Sequence, residues 1–522
     1  MACLSENACL GRHYAGKRNA LSNSGERIKR LALRAVADDF IFNLGTGVPD
    51  AVQQGIVKLP HLIEREDPKR LFFIKFDGSQ YWEGFDTVLQ IDACIVSASL
   101  YVNGNFVTNI ENTLMTALIR VDPFLRGKNS IYLKFAANEA GPDEVIRSLS
   151  LYHLPKSRVT DLFLKSRIYP GRARIYADVT VKAGDIGMAV GGSIILSLHD
   201  GSKTVSETEI QIPAFRKNHW ASVRARMDID DPRLWRPEDP FRYSAVIQLF
   251  RADGTIADVR RIPYGVRELL LKRYDRRRKE GPRLLLNGLP VTIKGAVARQ
   301  QSAELPGLLS RMGLNAVRVV DPSDLPFLET CETEGLLVMC EAQLEIHANP
   351  RQRGRRKTAV SDPLERPFAL LGEMVTRLQN HASVICWSIG SRKLFGNEVL
   401  GEFIRSLDDT RAVNCEGDLR FTVSDFFSAS DCGMKELTAV AEHKAVSVGG
   451  VFKLLPFARY KHYPLLLCEA AFDTEELKEK FTAAQSIDRF LGVFAEIEGV
   501  DISEMNKFFK GGFAQSREAA DG

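Results

Sequence analysis

The sequence predicts three folded parts: a jelly-roll β-sandwich, an immunoglobulin-like β-sandwich and a (β/α)8 barrel, that is, a TIM barrel. Two observations predict this multidomain β plus α/β fold. Short alternating apolar runs, broken by turn residues, fill the first half of the chain, as is typical of antiparallel β-structure. From about residue 282 onward, short apolar runs alternate with helical segments. Strand–helix alternation predicts parallel β/α architecture, and about 240 residues suit a (β/α)8 barrel.

The jelly-roll sandwich is predicted for residues 36–155. Residues 1–35, which are polar and then basic, are predicted to form an N-terminal tail, with one helix at 27–36. The strongest local signal is the Asn103-Gly104 step between two apolar runs. Such a step is typical of a two-residue β-hairpin turn. Further strands are predicted at 71–76, 87–91, 98–102 and 130–135.

Residues 156–272 predict a second sandwich of immunoglobulin size. Its predicted strands are 173–181, 192–198, 208–212 and 243–250, with turn signals at Asp200-Gly201 and Asp253-Gly254. The stretch 272–281, rich in Arg and Lys, predicts an exposed linker into the third part.

Residues 273–522 predict the barrel. Candidate strands are 291–294, 316–320, 336–340, 384–388, 412–415 and 465–468, and candidate helices are 305–312, 326–334, 368–379, 399–407 and 474–492. Because the chemistry of such barrels lies at the carboxyl ends of the strands, residues that directly follow these strands are the candidate functional residues.

Composition excludes several classes of partner. Basic and acidic residues nearly balance, 70 against 66, and the basic runs are short, so no nucleic-acid surface is expected. No run approaches the ~18 apolar residues of a membrane span, so no membrane partner is expected. The N-terminus does not read as a secretory signal, and the nine scattered cysteines lack a C-x-x-C pair. These features predict a cytoplasmic protein.

Short motifs occur in order between about residues 40 and 500, among them 98–104 (ASLYVNG), 234–240 (LWRPEDP), 340–347 (CEAQLEIH), 380–390 (NHASVICWSIG) and 464–469 (PLLLCE). Together they resemble the motifs of family 2 glycoside hydrolases, especially the β-galactosidase branch. The resemblance implies a carbohydrate partner, a β-glycoside, and leaves open whether the chain forms a homo-oligomer.

Of the two catalytic positions of that family, one keeps its carboxylate in this sequence and the other does not. Retaining glycosidases use two carboxyl groups about 5–5.5 Å apart, one as nucleophile and one as general acid/base. Glu469 follows an apolar strand and matches the nucleophile, whereas Ser391 and Arg392 stand where the family has an Asn-Glu pair. A guanidinium cannot deliver a proton near neutral pH, so about 10²–10⁴-fold of rate should be lost from this substitution.

Other candidate residues have two interpretations each. Glu398 could supply a displaced acid, but the first turn of a helix favours a carboxylate for electrostatic reasons alone. Trp387 could stack on a sugar or be a core ring. Arg318 matches a family arginine that lies under the nucleophile, where a cation would keep Glu469 ionised.

The resemblance also implies a Mg²⁺ site. Glu345 and His347 match two of its ligands, while Arg392 takes the place of the third. Because Mg²⁺ prefers hard oxygen ligands and a fixed cation repels it, we expect no bound cofactor and hypothesise that Arg392 replaces the metal, pairing with Glu345 or Glu469. His347 alone is equally consistent with a structural histidine.

Three functions therefore remain open from the sequence. The first is a family member with weak or no hydrolytic activity, a pseudoenzyme. The second is an active retaining β-glycosidase with Glu469 as nucleophile and a relocated acid. The third is a non-catalytic carbohydrate-binding or interaction protein.

Overall fold

The computed structural model describes residues 57–58, 71–77, 85–92, 98–110, 116–135, 148–184, 192–213, 219–272, 281–342, 344, 365–391, 397–418, 420–430, 434–442, 444–445, 460–469, 484, 487 and 490–496. The predicted tail and its helix, most of the predicted linker and most of the predicted helix 474–492 lie outside these residues. No helix in the described part of the chain is long and apolar enough to cross a lipid bilayer.

The first part is a sandwich of two antiparallel four-stranded sheets, in the orders β1-β8-β3-β6 and β2-β7-β4-β5. Leu89, Leu100, Ile131 and Leu133 are fully buried in its core. The jelly-roll connectivity stays a prediction. The strands are β1 (Val57–Lys58), β2 (Leu71–Asp77), β3 (Phe85–Asp92), β4 (Ala98–Val102), β5 (Asn105–Ile110), β6 (Thr116–Arg120), β7 (Lys128–Phe135) and β8 (Ser148–Pro155).

The hairpin predicted at Asn103-Gly104 joins β4 to β5, and both residues have positive φ, 52° and 80°. This backbone is that of a type I′ turn, whose twist matches the flanking strands. The Asn103 side chain also fixes the neighbouring loop: its Nδ2 donates to Oδ1 of Asn129 at 2.8 Å, and its Oδ1 accepts from the Ser130 amide at 2.8 Å. The Asn103 side chain therefore fixes the turn to the start of β7, in the same sheet.

The second part is a seven-stranded antiparallel sandwich with the sheet orders β13-β10-β9 and β12-β11-β14-β15. Three strands facing four is an immunoglobulin-like arrangement. Inward-facing residues alternate with exposed ones along the strands, as in β10, because successive side chains point to opposite faces. The strands are β9 (Arg158–Tyr169), β10 (Arg172–Lys182), β11 (Ser193–Asp200), β12 (Lys203–Gln211), β13 (Trp220–Asp230), β14 (Tyr243–Phe250) and β15 (Ile256–Tyr264).

A short antiparallel sheet, β16 (Leu269–Lys272), β17 (Arg283–Leu286) and β18 (Leu289–Pro290), leads into the third part. That part is an eight-stranded sheet with only parallel pairings, in the order β23-β22-β21-β20-β19-β26-β25-β24, so the barrel is nearly closed. Its strands are β19 (Ile293–Ala298), β20 (Ala316–Val320), β21 (Leu337–Glu341), β22 (Val384–Ser391), β23 (Ala412–Glu416), β24 (Phe427–Ser430), β25 (Leu465–Glu469) and β26 (Phe490–Glu496), and the described helices are α1 (Leu305–Arg311), α2 (Leu325–Thr333), α3 (Glu365–Leu378), α4 (Asn397–Leu407) and α5 (Met434–Ala441).

One helix prediction was wrong at its end. The predicted helix 474–492 runs into residues that form β26, which pairs with both β19 and β25 and so joins the two parts of the barrel sheet. Gly492 lies so close to β19 that a Cβ would stand 2.0 Å from the Ile293 carbonyl oxygen. A glycine is therefore needed here because two strands approach each other closely, and it does not mark the end of a helix.

The immunoglobulin-like sandwich and the barrel share a buried joint. Trp235, after β13, is fully buried, and its Nε1 donates to the carbonyl of Glu332 at the end of α2, at 3.2 Å. The Glu332 carboxylate accepts from the Ala382 amide and pairs with Nδ1 of His381 at 2.7 Å. At Gly265 an added Cβ would lie 2.6 Å from Cβ of Ala382 and 2.9 Å from Cβ of Trp235.

Gly265→Ala is therefore expected to lower the free energy of unfolding by about 1–3 kcal/mol, because the added methyl group overpacks this joint. Urea unfolding monitored by far-UV circular dichroism measures the change. Gly127→Ala is the matched control, since a Cβ there would meet no atom within 4 Å. If Gly265→Ala lowers the free energy of unfolding no more than Gly127→Ala does, the contact between the two domains accommodates the added methyl group without a loss of stability.

The joint also contains a carboxyl group with a raised pKa. Asp161 on β9 accepts from Nε2 of Gln379 at 2.9 Å, and burial raises the pKa of Asp161 to about 6, although the Gln379 hydrogen bond lowers it. In the unfolded chain this pKa is about 3.9. Since the folded state binds the proton more tightly, this group contributes most stability below pH ~4 and loses it as the pH rises through 6.

Asp161→Asn is expected to remove this pH dependence. The loss in the wild type between pH 4 and 7 should be about 1–3 kcal/mol, and the variant should be more stable than the wild type at pH 7. Urea midpoints at pH 4.5 and 7.5 test it, with Asp230→Asn, exposed on the same sandwich, as the control. An unchanged pH dependence in Asp161→Asn would contradict the assignment.

Candidate active site at the barrel mouth

Polar side chains cluster at the carboxyl ends of neighbouring barrel strands. Along each strand, alternate residues face the barrel interior, where apolar side chains such as Met339 and Leu466 fill the lower layers. On this interior face Arg318 lies in the middle of β20, between Ala316 and Val320, and Glu341 is the last residue of β21. This end of a (β/α)8 barrel is where active sites are built.

Arg318 connects two carboxylates across the mouth. Its Nη2 lies 2.6 Å from Oε2 of Glu341 and 2.8 Å from Oε2 of Glu416, and its Nε lies 3.0 Å from the same Glu341 oxygen. Glu416 is the last residue of β23, so one guanidinium spans from the second to the fifth strand. Ser388 on β22 adds a hydrogen bond, donating from Oγ to Oε2 of Glu341 at 2.8 Å.

The cluster is shielded from solvent and rich in negative charge. The Arg318, Glu341 and Glu416 side chains are 12%, 10% and 23% exposed. Burial acts to lower the pKa of Arg318, but the two carboxylates and the neighbouring Cys468 thiol outweigh it and raise that pKa above its ordinary value. Arg318 is therefore a permanent cation held in place by charge-assisted hydrogen bonds, which are among the stronger ones in proteins.

Sequence reasoning assigned no role to Glu341, Glu416 and Ser388. Glu341 and Glu416 each end an apolar barrel strand, which is the same signal that singled out Glu469. Ser388 carried no such signal, since a serine inside an apolar run is equally common as a satisfied core hydroxyl.

The structure brings two other predicted residues to the same end of the barrel through their backbones. Glu469 is the last residue of β25, opposite Ala495 of β26, and Ser391 is the last residue of β22, opposite Glu416 of β23. Arg392, Glu345 and His347 lie outside the described residues. Their predicted roles, including the replacement of the metal by Arg392, stay predictions.

Trp387 lies in the core between the barrel strands and the helices and has no exposed surface. Its Nε1 donates to Oδ2 of Asp408 at 2.8 Å, and the same oxygen accepts from Nη1 of Arg411 at 2.8 Å. Burial acts to raise the pKa of Asp408, but Arg411 and the hydrogen bonds from Thr410 and Trp387 hold it below its ordinary value. This arrangement favours the interpretation of Trp387 as a core ring.

Glu398 lies in the first turn of α4, as the sequence predicted, and its side chain is exposed. A carboxylate at this place interacts favourably with the helix N-terminus. Within the described part of the chain, no group of three or more His, Cys, Asp or Glu side chains is arranged to hold a metal ion.

Comparison with known protein families agrees with this architecture. Residues 293–489 match the TIM barrel domain of glycosyl hydrolases family 2, and residues 157–267 match a further domain described as glycosyl hydrolases family 2. Together the two segments make up more than half of the chain. The chain belongs to glycoside hydrolase family 2.

Solved structures of this family share the fold. A family 2 member from Bacteroides cellulosilyticus is 18% identical with a TM-score of 0.65, and the match covers 82% of this chain and 56% of that one. A β-glucuronidase from Bacteroides uniformis is 16% identical with a TM-score of 0.63, covering 82% and 58%. A β-D-glucuronidase from Dictyoglomus thermophilum is 18% identical with a TM-score of 0.60, covering 81% and 82%. The chain thus spans a little more than half the length of the first two.

Proposed function

We propose that this family 2 chain binds β-glycosides at the mouth of its barrel and hydrolyses those with ordinary leaving groups weakly or not at all. The observation that carries the proposal is Arg392, which stands directly after the end of β22, where the family has its general acid/base. Without a proton donor, the leaving oxygen must depart as an anion, which costs about 10²–10⁴-fold in rate for ordinary sugars.

The electrostatics of the mouth support this proposal. Glu341 and Glu416 are both within hydrogen-bond distance of the Arg318 guanidinium, and a carboxylate paired in this way accepts hydrogen bonds rather than donating a proton. Arg318 and its two carboxylates form a fixed, charged surface at the bottom of the site. Such a surface suits the binding of a polar ligand such as a sugar more than the transfer of a proton to it.

A second candidate function is an active retaining β-glycosidase with a relocated acid. One observation favours it: Glu416, the more exposed of the two described mouth carboxylates, lies directly opposite Ser391, next to the position of the missing acid. Glu469 would then be the nucleophile. A third candidate, a purely carbohydrate-binding or interaction protein, retains the scaffold without the chemistry.

Aryl β-glycosides with different leaving groups distinguish the three candidates. A dinitrophenolate leaves without protonation, so dinitrophenyl β-galactoside and β-glucuronide test the nucleophile alone, while the methyl glycosides and lactose also require the acid. The proposed function predicts turnover of the dinitrophenyl substrates that vanishes in Glu469→Gln, no turnover of the methyl substrates, and acceleration by azide as an external nucleophile.

The other outcomes identify the alternatives. Turnover of methyl glycosides that is lost in Glu416→Gln identifies Glu416 as the relocated acid. No turnover of any substrate, together with saturable binding of a β-glycoside by calorimetry, identifies the binding protein. Turnover of dinitrophenyl substrates that survives Glu469→Gln contradicts the assignment of Glu469 as nucleophile.

A further inference from the structure

A cleft of about 470 Å³ lies between the immunoglobulin-like sandwich and the barrel. Its barrel side is formed by residues such as Gln379 and Thr410, which precede β22 and β23. The cleft is therefore at the amino-terminal end of the barrel strands, the opposite end from the mouth. A volume of this size is within the range of small-molecule sites, about 300–1,000 Å³.

Most charges that line the cleft neutralise each other. Lys165 lies 3.1 Å from Asp409 and 3.5 Å from Asp178, and Asp178 also pairs with Arg224 at 3.0 Å. Arg411 pairs with Asp408 behind the lining. These pairs need no further partner.

Two guanidiniums of the lining, Arg167 and Arg267, differ from the rest. In the described part of the chain, neither has an ion pair with a carboxylate, while one lining carboxylate, Glu268, accepts only a long 3.4 Å bond from the Ile168 amide. The cleft thus keeps an excess of positive charge after all its ion pairs are formed.

Arg267 is the more informative of the two because it is only 8% exposed. Of its five N–H donors, one from Nη2 goes to the Val384 carbonyl at 2.5 Å, an oxygen that also accepts from Nε of Arg411 at 2.9 Å. Burial and the like charge of Arg411 lower the pKa of Arg267 to about 9, although Asp408, Tyr264 and Glu332 act in the opposite direction. A buried cation without a bonded counter-ion is costly, and buried charges in proteins are normally paired.

We propose that this cleft binds a small molecule through an oxyanion group, with Arg267 as the buried contact and Arg167 as the exposed one. A phosphate, sulfate or carboxylate would accept the remaining N–H donors of Arg267 and supply its counter-charge, because planar guanidinium matches oxyanion geometry. The bound molecule would contact both domains and so hold the sandwich against the barrel. This site is independent of the proposed function at the mouth.

Isothermal titration calorimetry and thermal unfolding of the full chain test the proposal, with inorganic phosphate as the first probe and sodium chloride balancing the ionic strength. We expect saturable one-to-one binding and a melting temperature that rises with phosphate concentration, since a ligand that binds only the folded state stabilises it. Arg267→Gln should weaken the affinity at least tenfold, and Arg167→Gln should weaken it severalfold. Arg261→Gln, which removes the same charge from an exposed position on β15 outside the cleft, should leave the affinity unchanged.

Three further probes identify the class of ligand, and two further variants keep the test valid if Arg267→Gln does not fold. Sulfate, glucuronate and glucose 6-phosphate separate a bare anion from an anionic sugar: equal affinity for phosphate and glucose 6-phosphate means that only the anionic group is recognised. If Arg267→Gln does not fold, Arg167→Gln and the double variant Arg167→Gln/Arg224→Gln carry the test. Absence of saturable binding by all four probes, or binding that these rim variants leave intact, overturns the proposal.

Discussion

Replacing Arg318 with methionine is expected to lower the free energy of unfolding by about 3–5 kcal/mol, the range found when one partner of a buried ion pair is removed. Without the guanidinium, Glu341 and Glu416 lose the cation that both of them contact. Both are largely shielded from water, and their repulsion and poor solvation then act against the fold. Urea unfolding at pH 7.5 measures the loss.

Arg405 offers the matched control on the same barrel. It also pairs with a carboxylate, Asp425 at 2.8 Å, but its side chain is 39% exposed, so Arg405→Met should cost about 1 kcal/mol or less. A second check is compensation: Glu341→Gln and Glu416→Gln, introduced together with Arg318→Met, should restore part of the loss because neutral amides do not repel each other. If Arg318→Met costs no more than Arg405→Met, the cluster does not contribute to folding.

The sequence could predict most barrel strands but not all of them. Six of the eight were predicted because each is a compact apolar run before a turn, such as LLLCE in β25. β24, with the short and weakly apolar run FSAS, offers little periodic signal. β26 was absorbed into a predicted helix because a short apolar run does not distinguish strand from helix by periodicity alone. Only the pairing of β26 with β19 and β25 decides between them.

The same limit applies to the site. A sequence locates the residue that ends an apolar strand, and the order of strands around the barrel then places Glu341, Glu416 and Glu469 at one end, with Arg318 on the neighbouring β20. It does not say which of them pair, because a long arginine side chain reaches several strand ends. From the sequence we expected Arg318 to lie beside Glu469. In the structure, the ion-pair partners of Arg318 among the described residues are Glu341 and Glu416.

Restoring the family's Asn-Glu pair with Ser391→Asn/Arg392→Glu is expected to raise kcat/KM for methyl β-glycosides about 10²–10⁴-fold relative to kcat/KM for the dinitrophenyl substrates. The reason is that a carboxylic acid after β22 can protonate a poor leaving group, whereas a good leaving group gains nothing from it. The ratio of the two rates therefore reports the acid specifically and cancels changes in binding or in the amount of folded protein.

The pH profile provides an independent signature of the same change. A general acid acts only in its protonated form, so methyl-glycoside activity of the double variant should fall on the alkaline side of the new carboxyl's pKa, while dinitrophenyl activity should not. Ser391→Asn/Arg392→Gln is the control, since it removes the cation and supplies no proton. If this control raises the ratio as much as the glutamate variant does, then Arg392 inhibits by its charge or bulk, and the loss of an acid does not explain the impaired hydrolysis. If neither variant changes the ratio, the side chain that follows β22 does not limit the reaction, and the loss of an acid at that position does not explain the impaired hydrolysis.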